Sequence, residues 1–151
     1  MTDATRDDDA TMTHTELVNR AARWLRNTKR CGVVVTEEYS MAWSIPDAMG
    51  WKSYASYLVE CKVTRGDFLA DRKKPHRANA DLGMGDQRYY MTPPGLVSPD
   101  ELPKHWGLLE AHPHHVRIIR ESSGASRYRT ALNERPLLYK LLRKAVQNAS
   151  P

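Results

Sequence analysis

Residues 56–63 read Ser-Tyr-Leu-Val-Glu-Cys-Lys-Val, an apolar stretch interrupted by a charged pair, and this segment decides the fold. Side chains alternate between the two faces of a β-strand, so Glu60 and Lys62 are predicted to share one face while Cys61 lies on the other. Burying a charge is costly unless the charge has a partner. A strand of this composition therefore indicates that Glu60 and Lys62 serve a chemical purpose.

A further acidic residue, Asp47, follows Pro46 and is predicted to end an earlier strand. If residues 43–47 pair with residues 56–63 as a hairpin, Asp47 lies beside Glu60, and two carboxylates share a site with one ammonium group. Paired carboxylates bind a hard divalent cation, which activates water and neutralises phosphate. The pattern therefore favours phosphodiester hydrolysis. An ordinary cross-strand charge pair on a surface hairpin is the alternative.

This arrangement resembles the PD-(D/E)xK nuclease superfamily, and residues 46–50 and 60–68 are also similar to small nuclease-like proteins of bacteria and phages. The resemblance implies a restriction-endonuclease-like α/β fold with an αβββαβ core, in which helices flank a central mixed sheet. It implies that Asp47 and Glu60 are metal ligands and that Lys62 is catalytic. It also implies Mg²⁺ or Mn²⁺ as the cofactor and DNA as the favoured substrate.

Further site residues follow from the resemblance alone. The backbone carbonyl of Cys61, between the acid and the lysine, is expected to ligate the cation. A third acidic side chain is expected from the first helix or the first strand, which leaves Glu16 or Glu38. Glu16 is favoured because a first-helix glutamate points over the sheet toward the site in this family. Gln87 is expected to contact substrate, as a nearby glutamine does in some members.

The remaining elements are predicted from apolar periodicity and from turn residues. Residues 1–13 are small, polar and acidic and are predicted to be a disordered tail, which leaves one domain over residues 14–151. Thr15 is the predicted cap of the first helix. The helices are predicted at 16–28, 67–74 and 135–146, and the strands at 31–36, 41–45, 56–63, 87–92, 106–110 and 116–120. This order is typical of a mixed sheet with helices packed on its faces.

Basic residues cluster on and after the second helix, and we predict that they contact the phosphates of nucleic acid. The cluster consists of Arg65, Arg72, Lys73, Lys74, His76 and Arg77. A solvated helix face with a cationic carboxyl end is an equally supported alternative. The histidines of residues 105–115 are predicted to lie in a polar turn, because they lack the helical spacing of two-histidine zinc sites.

The charge of the chain is uneven and favours a polyanionic partner such as nucleic acid. The net charge of +5 becomes +8 without the first thirteen residues, which hold four acids and one base. No apolar run reaches the length of a membrane span and no signal peptide is evident, so a cytoplasmic protein without a membrane partner is expected. The two cysteines match neither a disulfide framework nor a zinc pattern.

The combined prediction is a metal-dependent deoxyribonuclease. Two alternatives are a catalytically silent nuclease-like module that binds nucleic acid or protein, and an inhibitor or adaptor from a mobile element. Leucines near the C-terminus are predicted to pack on the core, with a homodimer interface as the alternative. They are Leu137, Leu138, Leu141 and Leu142.

Overall fold

The computed structural model describes residues 12–38, 45–124 and 127–150. Within these ranges the chain forms four α-helices and six β-strands. The helices are α1 (His14–Asn27), α2 (Arg65–Arg72), α3 (Pro75–Ala78) and α4 (Arg127–Ala149), and the strands are β1 (Val33–Thr36), β2 (Ala48–Trp51), β3 (Ser56–Cys61), β4 (Gln87–Thr92), β5 (Gly107–Ala111) and β6 (Val116–Arg120). Over the same ranges, no helix combines the length and the hydrophobicity that crossing a membrane requires.

The six strands form one mixed sheet in the order β1-β2-β3-β4-β5-β6. The pairs β1–β2, β2–β3 and β5–β6 are antiparallel, whereas β3–β4 and β4–β5 are parallel. The parallel step from β3 to β4 needs a crossover connection, which contains α2 and α3. The α/β class is therefore confirmed, and α1 to β4 follow the predicted order of a helix, three strands, a helical crossover and a strand.

Helices cover both faces of the sheet. On one face, Leu25 of α1 belongs to the same apolar cluster as Cys61 of β3. The other face packs against α2 and α4 through a second cluster, which contains Met49, Leu58, Phe68, Tyr90, Trp106 and Leu137. All of β3 is buried because both of its faces are covered. Since Leu58 and Cys61 belong to opposite layers, alternation places Glu60 and Lys62 on one face, as predicted, and this face is the one that α2 covers.

The second strand differs from its prediction. Residues 41–44 lie outside the described residues, and Ile45 is exposed and belongs to no strand. The strand is instead β2, in a segment predicted to be a connection. A Cβ atom at Gly50 would lie 2.7 Å from the sulfur of Cys31, so this glycine permits a close packing contact rather than a turn. Residues 52–55 then connect β2 to β3.

Helices α1 and α2 both begin earlier than predicted, because threonine side chains cap them. Thr13, rather than Thr15, caps α1: its Oγ1 accepts a hydrogen bond from the N–H of Glu16, whose carboxylate accepts one from the N–H of Thr13. In α2, the N–H of Asp67 donates to Oγ1 of Thr64 at 3.2 Å. The first turn of each helix therefore includes residues that were expected to precede it.

The two ends of the chain also differ from expectation. Residues 1–11 of the predicted tail lie outside the described residues. Helix α4 begins well before residue 135 and is 23 residues long. The predicted core packing is confirmed for Leu137 and Leu141. It is wrong for Leu138 and Leu142, which are 39% and 65% exposed.

Candidate active site

Asp47 lies across from Glu60 at the carboxyl end of β3. The β2–β3 register pairs Ala48 with Val59, so the next position brings Asp47 opposite Glu60. Asp47 Oδ2 accepts a hydrogen bond from the backbone N–H of Cys61 at 2.8 Å, which holds the carboxylate against the end of the strand. The two carboxylates are therefore neighbours as predicted, although a different strand from the predicted one brings them together.

Glu60 is the unusual side chain of this site. It is 3% exposed, and its Oε1 has no hydrogen-bond partner among the described residues. Arg77 Nη2 lies 3.5 Å from this same Oε1 and forms an ion pair with it. Burial raises the pKa of Glu60 to about 8; the positive charge of Arg77 opposes the rise and the Asp47 carboxylate adds to it. Buried carboxylate oxygens are normally hydrogen-bonded, so the absence of a hydrogen bond to this oxygen needs an explanation, such as a bound ion.

Asp71 of α2 is the centre of a buried ionic network on the same side of the sheet. Its carboxylate accepts hydrogen bonds from Arg77 Nε at 2.8 Å and from the Tyr90 hydroxyl. Lys62 Nζ and Lys74 Nζ lie 3.4 and 3.1 Å from Asp71 Oδ1. Burial alone would raise the pKa of Asp71, but the hydrogen bonds and charges around it, from Arg77 above all, hold that pKa well below its ordinary value. Asp71 therefore stays ionised.

Lys62 follows β3 and is fixed through both its backbone and its side chain. Its N–H donates to the Met91 carbonyl at 3.0 Å, which continues the pairing with β4. Its side chain is 16% exposed, and its ammonium group faces Asp71. Glu60 and Lys62 thus share the α2 side, and Asp71 orients the lysine there.

A histidine and another acid join Asp47 at this edge. His14 Nε2 lies 3.3 Å from Glu37 Oε1 and 3.5 Å from Asp47 Oδ1. One ligand atom from each of the three lies within 4.8 Å of the others, close enough to share a metal ion. His14 is the first residue of α1, and Glu37 follows β1 with a φ of 51°, an uncommon conformation for a residue with a side chain. The sequence analysis did not predict either residue. Both lie at the end of a helix or strand, and this position is the sequence feature that could have identified them.

Neither glutamate predicted as the third ligand joins this cluster. The Glu16 carboxylate is used in the cap of α1, and Glu38 Oε2 lies 3.2 Å from Lys140 Nζ. Glu37 therefore replaces Glu16 as the candidate ligand. The side chain of Cys61 is buried on the α1 side, where burial raises the pKa of its thiol. The expected role of its backbone carbonyl stays a prediction.

Arg77 does not lie on the surface where phosphate contacts were predicted. It is buried, and its guanidinium contacts Asp71 and Glu60 and lies 4.8 Å from the ring centre of Trp106. Helix α3 turns the preceding His76 inward as well. The surface role is therefore wrong for Arg77, which instead balances the charge of buried acids.

The other basic residues of this stretch have mixed roles. Arg65 pairs with the Glu101 carboxylate, and Arg72 donates to the Glu101 carbonyl at 3.2 Å, so both hold the segment before β5. Lys73 and Lys74, at the end of α2, are exposed. Phosphate contact by these four side chains stays a prediction, with the two lysines the most accessible.

Gln87 lies at the far end of β4 from the two carboxylates. It pairs with Tyr57, and three residues further along the strand Tyr90 pairs with Glu60. Three residues of a strand span about 10 Å. The strand register therefore places Gln87 about 10 Å along the sheet from the two carboxylates, and substrate contact by Gln87 stays a prediction.

The acids at this edge suit a divalent cation. Asp47 and Glu37 offer carboxylate oxygens, which hard cations prefer, and His14 offers an imidazole nitrogen. Glu60 lies beside Asp47 but is not one of the three residues whose ligand atoms lie within 4.8 Å of one another. A cation beside Glu60 would contact the oxygen that accepts no hydrogen bond and would favour the ionised carboxylate. The oxygen and imidazole donors of His14, Glu37 and Asp47, without a thiolate, fit a hard or borderline divalent cation.

One solved structure has a fold similar to that of this chain. No protein-family model matches the chain, and no curated protein matches it. A solved structure described as "SPO1766 protein of unknown function from Silicibacter pomeroyi" aligns with a TM-score of 0.64 and 23% sequence identity, over 89% of each chain. At this identity the likeness supports the α/β fold and carries no information about activity.

Proposed function

We propose that this protein is a metal-dependent nuclease that hydrolyses phosphodiester bonds, with DNA as the favoured substrate. The observation that supports the proposal is the buried Oε1 of Glu60 beside the Asp47 carboxylate; this oxygen accepts no hydrogen bond from the described residues and has Arg77 Nη2 at 3.5 Å. A glutamate kept for stability alone would have donors for both of its oxygens. The choice of DNA follows from the resemblance to PD-(D/E)xK nucleases, and the net charge of +5 agrees with a polyanionic substrate.

Asp47 and Glu60 would hold the cation, with Glu37 and His14 as further donors from the ends of β1 and α1. When bound, a divalent cation supplies a water of lowered pKa and neutralises charge on the phosphate. The N–H of Cys61 holds Asp47 Oδ2 in place, so Oδ1, which lies 3.5 Å from His14 Nε2, is the oxygen that would bind the cation. The protein therefore orients this ligand before any cation arrives.

Lys62 and Arg77 have separate roles in this proposal. Asp71 orients the Lys62 ammonium group, which is the candidate to contact the scissile phosphate or the attacking water. A fixed positive charge at that position stabilises the negative charge that develops during hydrolysis. Arg77 contacts Asp71 and Glu60 and reduces the repulsion among the buried acids.

Incubation of the purified protein with supercoiled, linear and single-stranded DNA, in Mg²⁺, Mn²⁺ or EDTA, tests the proposal. We expect products with a divalent cation and none in EDTA. Asp47→Asn and Glu60→Gln should abolish the products, while Asp67→Asn, an equal change at an exposed position of α2, should not. Full cleavage by Asp47→Asn, or cleavage that persists in EDTA, would contradict the proposal.

Calorimetry separates an enzyme from a catalytically silent module of the same fold. Titration with Mn²⁺ should release or absorb heat with the wild type and not with the Asp47→Asn variant, because that change removes a ligand charge. Heat of binding without cleavage of any DNA substrate would favour the silent module.

A further inference from the structure

A groove of about 560 Å³ lies between α1 and the β5–β6 hairpin. One wall belongs to α1 and the other to the hairpin, and the side chains that matter here are Arg20, Arg23, Asn27, His114, His115 and Ile118. Arg20 Nη2 donates to the carbonyls of His112 and His115 at 2.7 and 3.1 Å. These two hydrogen bonds tie the hairpin turn to the helix, so the groove has fixed walls.

The groove is positively charged. None of the described residues that line it is acidic. Arg23 is exposed and forms no ion pair or hydrogen bond with any described residue, so its charge is available to a ligand. Apolar surface accompanies the charge, since Ile118 is 39% exposed in the same groove. Cationic side chains beside apolar and ring surfaces suit a ligand that carries both phosphates and bases.

The groove begins at the edge of the sheet that holds the candidate active site. Strands β3, β4 and β5 are parallel, so the turn at residues 112–115 lies at the same edge as Lys62. Two strand spacings, about 10 Å, separate the ends of β3 and β5. Along α1, Arg20 is about 9 Å from His14, which contacts Asp47. A chain bound in the groove therefore leads toward His14 and Asp47, at the end of α1.

We propose that this groove binds a single strand of nucleic acid and guides it to the candidate active site, an inference that rests on the proposed nuclease function. Arg20 and Arg23 contact backbone phosphates, while Ile118 and the imidazole rings contact bases. The groove has the volume of a pocket for a small ligand. It therefore suits a short segment of one strand and not a duplex.

Fluorescence anisotropy with a labelled single-stranded oligonucleotide in EDTA measures binding without cleavage. We expect Arg23→Glu to weaken binding by about tenfold or more. Arg26→Glu, the same change at an exposed position of α1 that does not line the groove, should weaken it by less than about twofold. Arg23→Ala should reduce the slope of log Kd against log salt by about one. Equal weakening by Arg23→Glu and Arg26→Glu would overturn the proposal, because it would reflect overall charge alone.

Two comparisons identify the ligand and separate this inference from the nuclease proposal. Polyglutamate at equal charge should fail to displace the oligonucleotide; displacement would overturn the assignment to nucleic acid and indicate an acidic protein partner. If Arg23→Glu binds normally while the wild type cleaves DNA with metal, the groove proposal is wrong and the nuclease proposal stands. If Arg23→Glu binds weakly and the wild type never cleaves, the groove proposal stands without the nuclease.

Discussion

Glu134 and Glu60 are buried on the same face of the sheet at opposite ends of β3, and each is 3% exposed. Burial raises the pKa of both carboxyl groups. Glu134 Oε1 accepts a hydrogen bond from Trp51 Nε1 at 2.8 Å, and its Oε2 accepts from Ser56 Oγ at 2.7 Å and from the N–H of Gly85 at 2.9 Å. Among the described residues, Oε1 of Glu60 has no comparable donor.

This difference separates a carboxylate that holds the fold from one that is kept available. Glu134 ties α4 to the start of β3 and to the segment before β4. Glu60 is equally buried, but its neighbours are the Asp47 carboxylate and the Arg77 guanidinium, whose Nη2 lies 3.5 Å from Oε1 without forming a hydrogen bond. Burial and a raised pKa are thus common to both residues, and the missing hydrogen-bond donor is what distinguishes Glu60, the proposed ligand, from Glu134.

The largest contrast between the two glutamates is expected in activity. Glu60→Gln keeps the shape of the side chain but removes the charge that holds a cation, so metal-dependent cleavage should fall by on the order of a thousandfold or more. Glu134→Gln should keep the rate per folded molecule within about threefold, because it lies at the other end of β3. Initial rates, corrected for the folded fraction by circular dichroism, measure both. Similar losses of cleavage rate in the two variants would contradict the proposal that Glu60 is catalytic and Glu134 structural.

Stability should show the opposite order. Glu134→Ala leaves the N–H groups of Trp51 and Gly85 unpaired, so the free energy of unfolding should fall by about 3 kcal/mol. Glu60→Gln should not lower it at neutral pH, because the folded wild type keeps Glu60 mostly protonated, with a pKa of about 8, whereas the unfolded chain ionises it. Urea unfolding followed by tryptophan fluorescence measures both. A greater loss in Glu60→Gln would make Glu60 the structural residue.

Much of the fold could be predicted from local patterns. The alternation within residues 56–63 predicts the face of Glu60 and Lys62, because it depends only on strand geometry. Strand β2 could not be recognised, since Gly50 in an isolated sequence indicates a turn. Its packing against Cys31 appears only when the chain before β1 lies beside β2.

The charged network of the site could not be predicted without the tertiary structure. In the sequence, Arg77 resembles the other basic residues around it, because nothing local shows that Asp71 and Glu60 face it. His14 and Glu37 lie at the ends of α1 and β1 and meet Asp47 only once the sheet has formed. Strand register and helix placement, which are long-range properties, therefore determine these contacts.

The smallest contrast is expected in the pH dependence of stability without metal. The folded pKa of Glu60, about 8, lies above the value of about 4.3 in an unfolded chain. Protonation of Glu60 therefore contributes stability that is fully present below about pH 4 and is lost as the pH rises through about 8. From about pH 6 to about pH 8, the wild type should lose about 2 kcal/mol relative to Glu60→Gln, whose amide does not titrate.

Urea unfolding of the two proteins in EDTA at both pH values measures this loss. The comparison cancels other groups that both proteins share, such as Glu134 and His76; burial lowers the pKa of His76 to about 4, outside this interval. Saturating Mn²⁺ should remove the loss, because a bound cation keeps Glu60 ionised throughout. Parallel pH curves for wild type and Glu60→Gln would mean that Glu60 does not titrate here. The absence of a hydrogen-bond donor to Glu60 would then not indicate a metal ligand, and Glu60 would be a structural residue like Glu134.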